Sequence, residues 1–194
     1  MESRDDTVTA HLLESARIKQ TLARTAAGSI GRMADLVLRS LEEGGKVMFC
    51  GNGGSAADSQ HLAAELVVRY RRNRKALPAV ALTTDTSVLT ALGNDMGHDR
   101  VFSRQVEALG RPGDCLVAFS TSGTSKNVVQ AVQTAKALGL RVVVLLGAAD
   151  SPMEAEADLA IHVPSDDTAR VQESHITIGH ILCDLVEKRF VGNP

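Results

Sequence analysis

Four apolar residues, Val47-Met48-Phe49-Cys50, run into Gly51-Asn52-Gly53-Gly54-Ser55 and then into the alanine-rich Ala56-Ala57-Asp58. A short, unbroken apolar run reads as a strand buried on both faces. The glycines read as a tight turn and the alanines as a helix start. A strand that feeds straight into a helix belongs to a sheet with helical crossovers, which narrows the chain to the α/β class. The same alternation recurs downstream. Strands are predicted at 79–82, 115–119, 141–146 and 159–163, with helices at about 55–70, 86–92, 99–109, 126–138, 152–157 and 168–190. Asp85 or Thr86 is placed to cap the helix at 86–92, and Gly93 to Gly97 reads as a turn.

Residues 7–44 carry apolar side chains at helical spacing, with Gly28 as a possible divide and Gly44 and Gly45 as the stop. Such a helical face before the first strand covers the sheet, packs on another subunit, or does both. The expectation is one domain over 1–194: an N-terminal helical segment (1–45) and an α/β core (46–194) with a doubly wound, five-stranded parallel sheet. In such sheets ligands bind beyond the carboxyl ends of the strands.

Composition excludes several classes. Aromatics are 3% with no Trp, so stacking platforms for single-stranded nucleic acid are not expected. A formal charge of −2 gives no bulk attraction to nucleic acid or an anionic membrane. No apolar run approaches the ~20 residues of a membrane span, and the N-terminus has no signal-like region. Cys50, Cys115 and Cys183 are odd in number, lack metal spacing and sit among apolar residues, as reduced thiols in a cytoplasmic protein do. One basic run, Arg69 to Lys75, reads either as a solvated loop or as a rim for anionic metabolites or a partner subunit.

The glycine turn has G-x-G but Ala57 in the last position of a dinucleotide fingerprint, and the region expected to hold its acidic ribose partner is basic. It also lacks the Lys-Ser/Thr ending of a nucleotide P-loop. It can still aim backbone N–H groups at an anion or a sugar oxygen. Ser120-Thr121-Ser122-Gly123-Thr124-Ser125 is the stronger signal, with five hydroxyls in six positions between a strand and a helix. A helix needs one cap; five hydroxyls suit the oxygens of a phosphate monoester. His61 and Glu65 share a helix face at i, i+4, which is equally the pattern of a surface hydrogen bond. On the last helix Gln172 lies within about 80° of each of His175 and His180. A metal could join these two helices if they meet, and spacing alone does not say that they do.

Together these stretches resemble the bacterial sedoheptulose-7-phosphate isomerases of the sugar isomerase (SIS) domain family. The resemblance rests on Gly51 to Asp58 with Gln60, His61 and Glu65; on Ala81 to Asp85 through Gly93-Asn94-Asp95; on Ser120 to Gly123; and on Val163-Pro164-Ser165 through Arg170 to His175 and His180. It implies isomerisation of sedoheptulose 7-phosphate to D-glycero-D-manno-heptose 7-phosphate through an enediol, early in nucleotide-activated heptose synthesis. It implies Glu65 and His180 as the acid–base pair. Substrate contacts would come from Asn52, Gly53, Gly54, Glu65, Asn94, Asp95, Ser120, Thr121, Ser122, Ser125 and Gln172. It implies one zinc ion held by His61, Glu65, Gln172 and His180, and a cytoplasmic homotetramer with shared active sites. Departures are Met96-Gly97-His98 where an aromatic neighbour is frequent, the stretch Gly147 to Pro152 without a Gly-Gly pair, and the basic run. The rival readings are a non-catalytic member that binds the replication initiator, which retention of both Glu65 and His180 disfavours, and an isomerase of another sugar phosphate.

Overall fold

The computed structural model describes residues 3–191. Two long helices come first, α1 (Arg4–Thr25) and α2 (Ala27–Glu42). Then follow β1 (Val47–Cys50), α3 (Gly54–Val67), β2 (Ala79–Ala81), α4 (Thr86–Asp95), α5 (Ser103–Leu109), β3 (Cys115–Ser120), α6 (Lys126–Ala137), β4 (Arg141–Leu146), β5 (Leu159–His162) and α7 (Thr168–Phe190). The strands form one parallel sheet in the order β2-β1-β3-β4-β5, as expected from the unbroken apolar runs. Met48 registers with Leu116 and Leu116 with Val142.

Strand residues alternate between two buried cores. Val47, Phe49, Val117 and Leu145 face α1, α2, α3 and α7, while Met48, Cys50, Leu116 and Val144 face α4, α5 and α6. Thus α3 leaves β1 toward one face and α6 leaves β3 toward the other. The switch point of the sheet lies between these neighbouring strands, where a ligand crevice is expected. Among the described residues no helix is long and apolar enough to cross a membrane. The three cysteines are buried free thiols, each pushed up to about 12 by burial.

Several boundaries differ from expectation for identifiable reasons. The N-terminal helices divide at Ala26, not Gly28. Thr21 and Thr25 donate to the carbonyls of Arg17 and Thr21, a back-bonding that bends helices. Gly93, Asn94 and Asp95 are not a turn. Asp85 caps α4 by accepting from Val88 N–H, and the helix runs on until Gly97, whose φ of 85° is glycine-favoured. The segment expected as one helix at 99–109 is a 3₁₀ turn at His98–Arg100 followed by α5. The helix expected at 152–157 is only a series of turns. Its N–H groups reach Ser151 and Met153 carbonyls, and then Asp158 N–H joins Val142 and draws the chain into the sheet. The α2 face does cover the sheet, with Ile30, Met33, Val37 and Leu41 buried, whereas Val8, Leu12 and Leu13 on α1 are exposed.

Candidate active site

The helices α3 and α7, far apart in sequence, pack against each other. Gly179 makes this possible: a Cβ there would lie 2.5 Å from a methyl of Leu62, itself fully buried. The residues next to this contact are His61 and His180. Their Nε2 atoms are 2.9 Å apart, one carrying the proton, and Glu65 Oε1 lies 3.4 Å from His61 Nε2. One donor atom from each of His61, Glu65 and His180 falls within 4.8 Å of the others. Two imidazoles and a carboxylate converging from two helices suit a transition metal with mixed nitrogen and oxygen preference. Burial pushes the His180 pKa down; His61 adds to this, Glu65 opposes it, and Arg71 adds further. A His180 kept neutral can accept a proton or ligate a metal. Tyr70 stacks on its ring, with centroids 5.6 Å apart and planes at 19°. One turn before His61, Asp58 is pushed up to about 6 by burial, against the pull of His61.

Gln172 lies elsewhere on α7. Its amide packs where a Cβ of Gly54 would be, 2.7 Å from that point, so Gly54 must lack a side chain for the amide to enter. Eight residues separate it from His180, about 12 Å of helix. The third polar residue expected on this helix face, His175, is not at the site. It is fully buried, donates from Nε2 to the Leu146 carbonyl and packs near Phe119.

Burial pushes the His175 pKa down to about 4, and its bond to Leu146 only partly opposes this. A folded pKa below the unfolded value near 6.5 favours the neutral ring in the folded state. Stability is therefore complete above about pH 6.5 and falls between there and about pH 4, by up to about 3 kcal/mol. Denaturant titrations of wild type and His175→Phe at pH 7 and 4.5 check this. The wild type is expected to lose more stability on acidification than the variant, and equal losses would contradict the assignment.

The two turns at the strand ends meet as expected at a switch point. After β1, Gly53 adopts φ 57° and Gly51 leaves no room for a Cβ, which would meet Ser55 at 2.7 Å. Asn52 and Asn127 exchange two amide hydrogen bonds of 2.9 Å, which joins the end of β1 to the first turn of α6. Asn127 Nδ2 also donates to His98 Nε2 at 3.1 Å. Asn52 and His98 line a cavity of about 170 Å³ with Gly51, Gly53 and Thr83. Sequence reasoning missed Asn127; the signal was a polar residue at an inward position of α6. After β3, Ser120 Oγ donates to Ser125 Oγ and Thr124 N–H to Ser122 Oγ. Ser125 starts α6 through its carbonyl, which accepts from Val128 and Val129 N–H, and its hydroxyl makes no capping bond. Asn94 and Asp95 pair with each other at 2.7 Å, and Asp95 lines a different cavity, of about 760 Å³, between α4 and α5.

Residues 11–147 match the SIS domain family. The phosphoheptose isomerase of Chlorobaculum parvum is 54% identical over 186 residues, which cover 94% of this chain and 89% of that protein. The solved structure of phosphoheptose isomerase GmhA from Neisseria gonorrhoeae superposes with a TM-score of 0.90 at 46% identity, covering 96% of this chain and 100% of that one. A phosphoheptose isomerase from Francisella tularensis superposes with a TM-score of 0.92 at 35% identity, over 96% and 99% of the two chains.

Proposed function

The chain belongs to the SIS domain family and to the phosphoheptose isomerases within it, and from that premise we propose how it converts sedoheptulose 7-phosphate to D-glycero-D-manno-heptose 7-phosphate. The observation that carries the reading is the convergence of Glu65, His61 and His180 between two helices. A ketose becomes an aldose when a proton leaves C1 and another arrives at C2. Glu65, whose carboxylate is partly buried, takes the C1 proton and returns it at C2 of the enediol. His180, held neutral, gives a proton to O2 as the enediol forms, takes one from O1 as the aldehyde forms, and serves ring opening in the same way.

The far end of the substrate is assigned to Ser120, Thr121, Ser122 and Ser125, whose hydroxyls and backbone at the uncapped start of α6 suit a phosphate. Asn52, Gly53 and Gly54 form the wall along which the sugar chain lies, and Asn127, itself bonded to His98, holds the Asn52 amide. Asn94, Asp95 and Gln172 complete the substrate contacts in this reading. His61, Glu65 and His180 would hold a zinc ion. Gln172, expected as the fourth donor, packs its amide against Gly54 about two turns of α7 away and does not join them within one chain. Bound zinc supplies a Lewis acid that polarises the carbonyl oxygen.

A cytoplasmic homotetramer with shared sites belongs to the same proposal. Its support is the exposed Val8, Leu12 and Leu13 and an apolar groove between α1, α2 and α7, lined by Leu22, Ile30 and Ile181. Separate cavities for Asn52 and Asp95 are consistent with sites that a neighbour completes. The direct test is NMR of the purified, metal-loaded protein incubated with sedoheptulose 7-phosphate. Aldose signals should accumulate, and their absence would overturn the assignment.

A further inference from the structure

In the basic run 69–75, Arg69, Arg71 and Lys75 are exposed, while Arg72 and Arg74 turn onto α7. After α3 the chain turns back toward β2, and this return is fastened to a single carboxylate. Glu187, near the end of α7, is fully buried. It accepts hydrogen bonds from the consecutive backbone N–H groups of Tyr70, Arg71 and Arg72, at 2.9, 2.8 and 2.8 Å. The guanidinium of Arg74, its side chain equally buried, lies 3.7 Å from Glu187 Oε1, the oxygen that accepts from Tyr70. Arg72 reaches Asp184 on the same helix at 2.9 Å. A buried carboxylate without donors would be costly. The three backbone N–H groups supply them, while Arg74 Nε faces Glu187 as an ion pair without a hydrogen bond. Burial pushes the Glu187 pKa up, but the backbone N–H groups and Arg74 together hold it below the usual carboxylate range.

The fastening has two outputs, and both end on the acid–base pair. The Tyr70 ring is laid on the imidazole of His180, with the Arg71 guanidinium 4.7 Å from the centroid of the same ring. Arg74 donates from Nη2 to the backbone carbonyl of Glu65 at 2.7 Å. A loop tied down only for stability could present any residue at these two points.

We propose that Glu187 is a positioning residue for the isomerisation: its carboxylate clamps residues 70–72 and Arg74, and so fixes the ring of His180 and the α3 turn that carries Glu65. This rests on the roles given above to Glu65 and His180. The clamp acts through Tyr70 and Arg74, and Glu187 itself touches no substrate.

Tyr70 is the only tyrosine and the chain has no Trp, so intrinsic fluorescence reports this one ring. Glu187→Gln keeps the shape, loses the charge facing Arg74 and turns an amide NH₂ toward backbone donors. Its Tyr70 fluorescence should become more accessible to acrylamide while circular dichroism stays native. Its kcat should fall by about 10- to 100-fold, as for lost groups that orient a site, with KM little changed. Tyr70→Leu leaves every bond to Glu187 in place and should lower kcat in the same way; it carries the test if Glu187→Gln fails to fold. Unaltered fluorescence in folded Glu187→Gln, or wild-type kcat in either variant, would overturn the proposal. A wild type that shows no turnover, with the fluorescence response intact, would instead overturn the isomerase reading and leave the clamp standing.

Discussion

Glu65→Gln and His180→Gln should each lower kcat by about 10²-fold or more, the range for a lost acid–base group. Each change keeps side-chain bulk close to the original and removes the group that moves a proton. Both residues lie beside the buried Leu62–Gly179 contact rather than in it, so the packing of α3 on α7 should survive. The double variant should be little worse than either single one, because residues that act as a unit are strongly non-additive. Each is also a proposed metal ligand, so elemental analysis must accompany the kinetics. Lost turnover with metal retained marks a proton-transfer role, and lost turnover that tracks lost metal marks ligation. Rates near wild type in either variant would reject the assignment.

The second large effect is expected at a residue with no functional group. In Gly179→Ala the new methyl would meet both Cδ atoms of Leu62, at 2.5 and 2.7 Å, and its Cγ at 3.1 Å. Leu62 is fully buried and has little room to move. Over-packing of this kind costs about 1–3 kcal/mol. In a chain of this length each kcal/mol corresponds to about 2–4 °C in Tm. The helices can relieve the clash only by separating, and His61 and His180 flank the contact. Affinity for the proposed zinc ion and kcat should therefore fall further than the stability loss alone would cause, as calorimetric zinc titration and steady-state kinetics below Tm would show. Wild-type affinity together with wild-type Tm would show that the close approach is not needed.

Much of the architecture was legible because it is local. The strands are unbroken apolar runs, and α7 lies where its periodicity placed it, after a cap by Asp167. The hydroxyl loop after β3 stood out because a helix end has no use for so many hydroxyls. Errors fell where a distant partner overrode a local signal. Ser151 and Glu154 start a turn with helix-like bonds, yet pairing of Asp158 with Val142 ends it at once. His175 has the spacing of a site residue and is drawn into the core by the Leu146 carbonyl.

From the sequence alone follow the α/β class, the five strands, the two turns at strand ends and the residue types suited to binding phosphate and moving protons. These depend on spacing within one element, and spacing is a property of the chain. Only the tertiary structure decides that α3 meets α7 at Gly179, that Asn52 pairs with Asn127, and that a basic run closes on Glu187. Each of those joins residues 75 or more positions apart, through packing that periodicity does not encode.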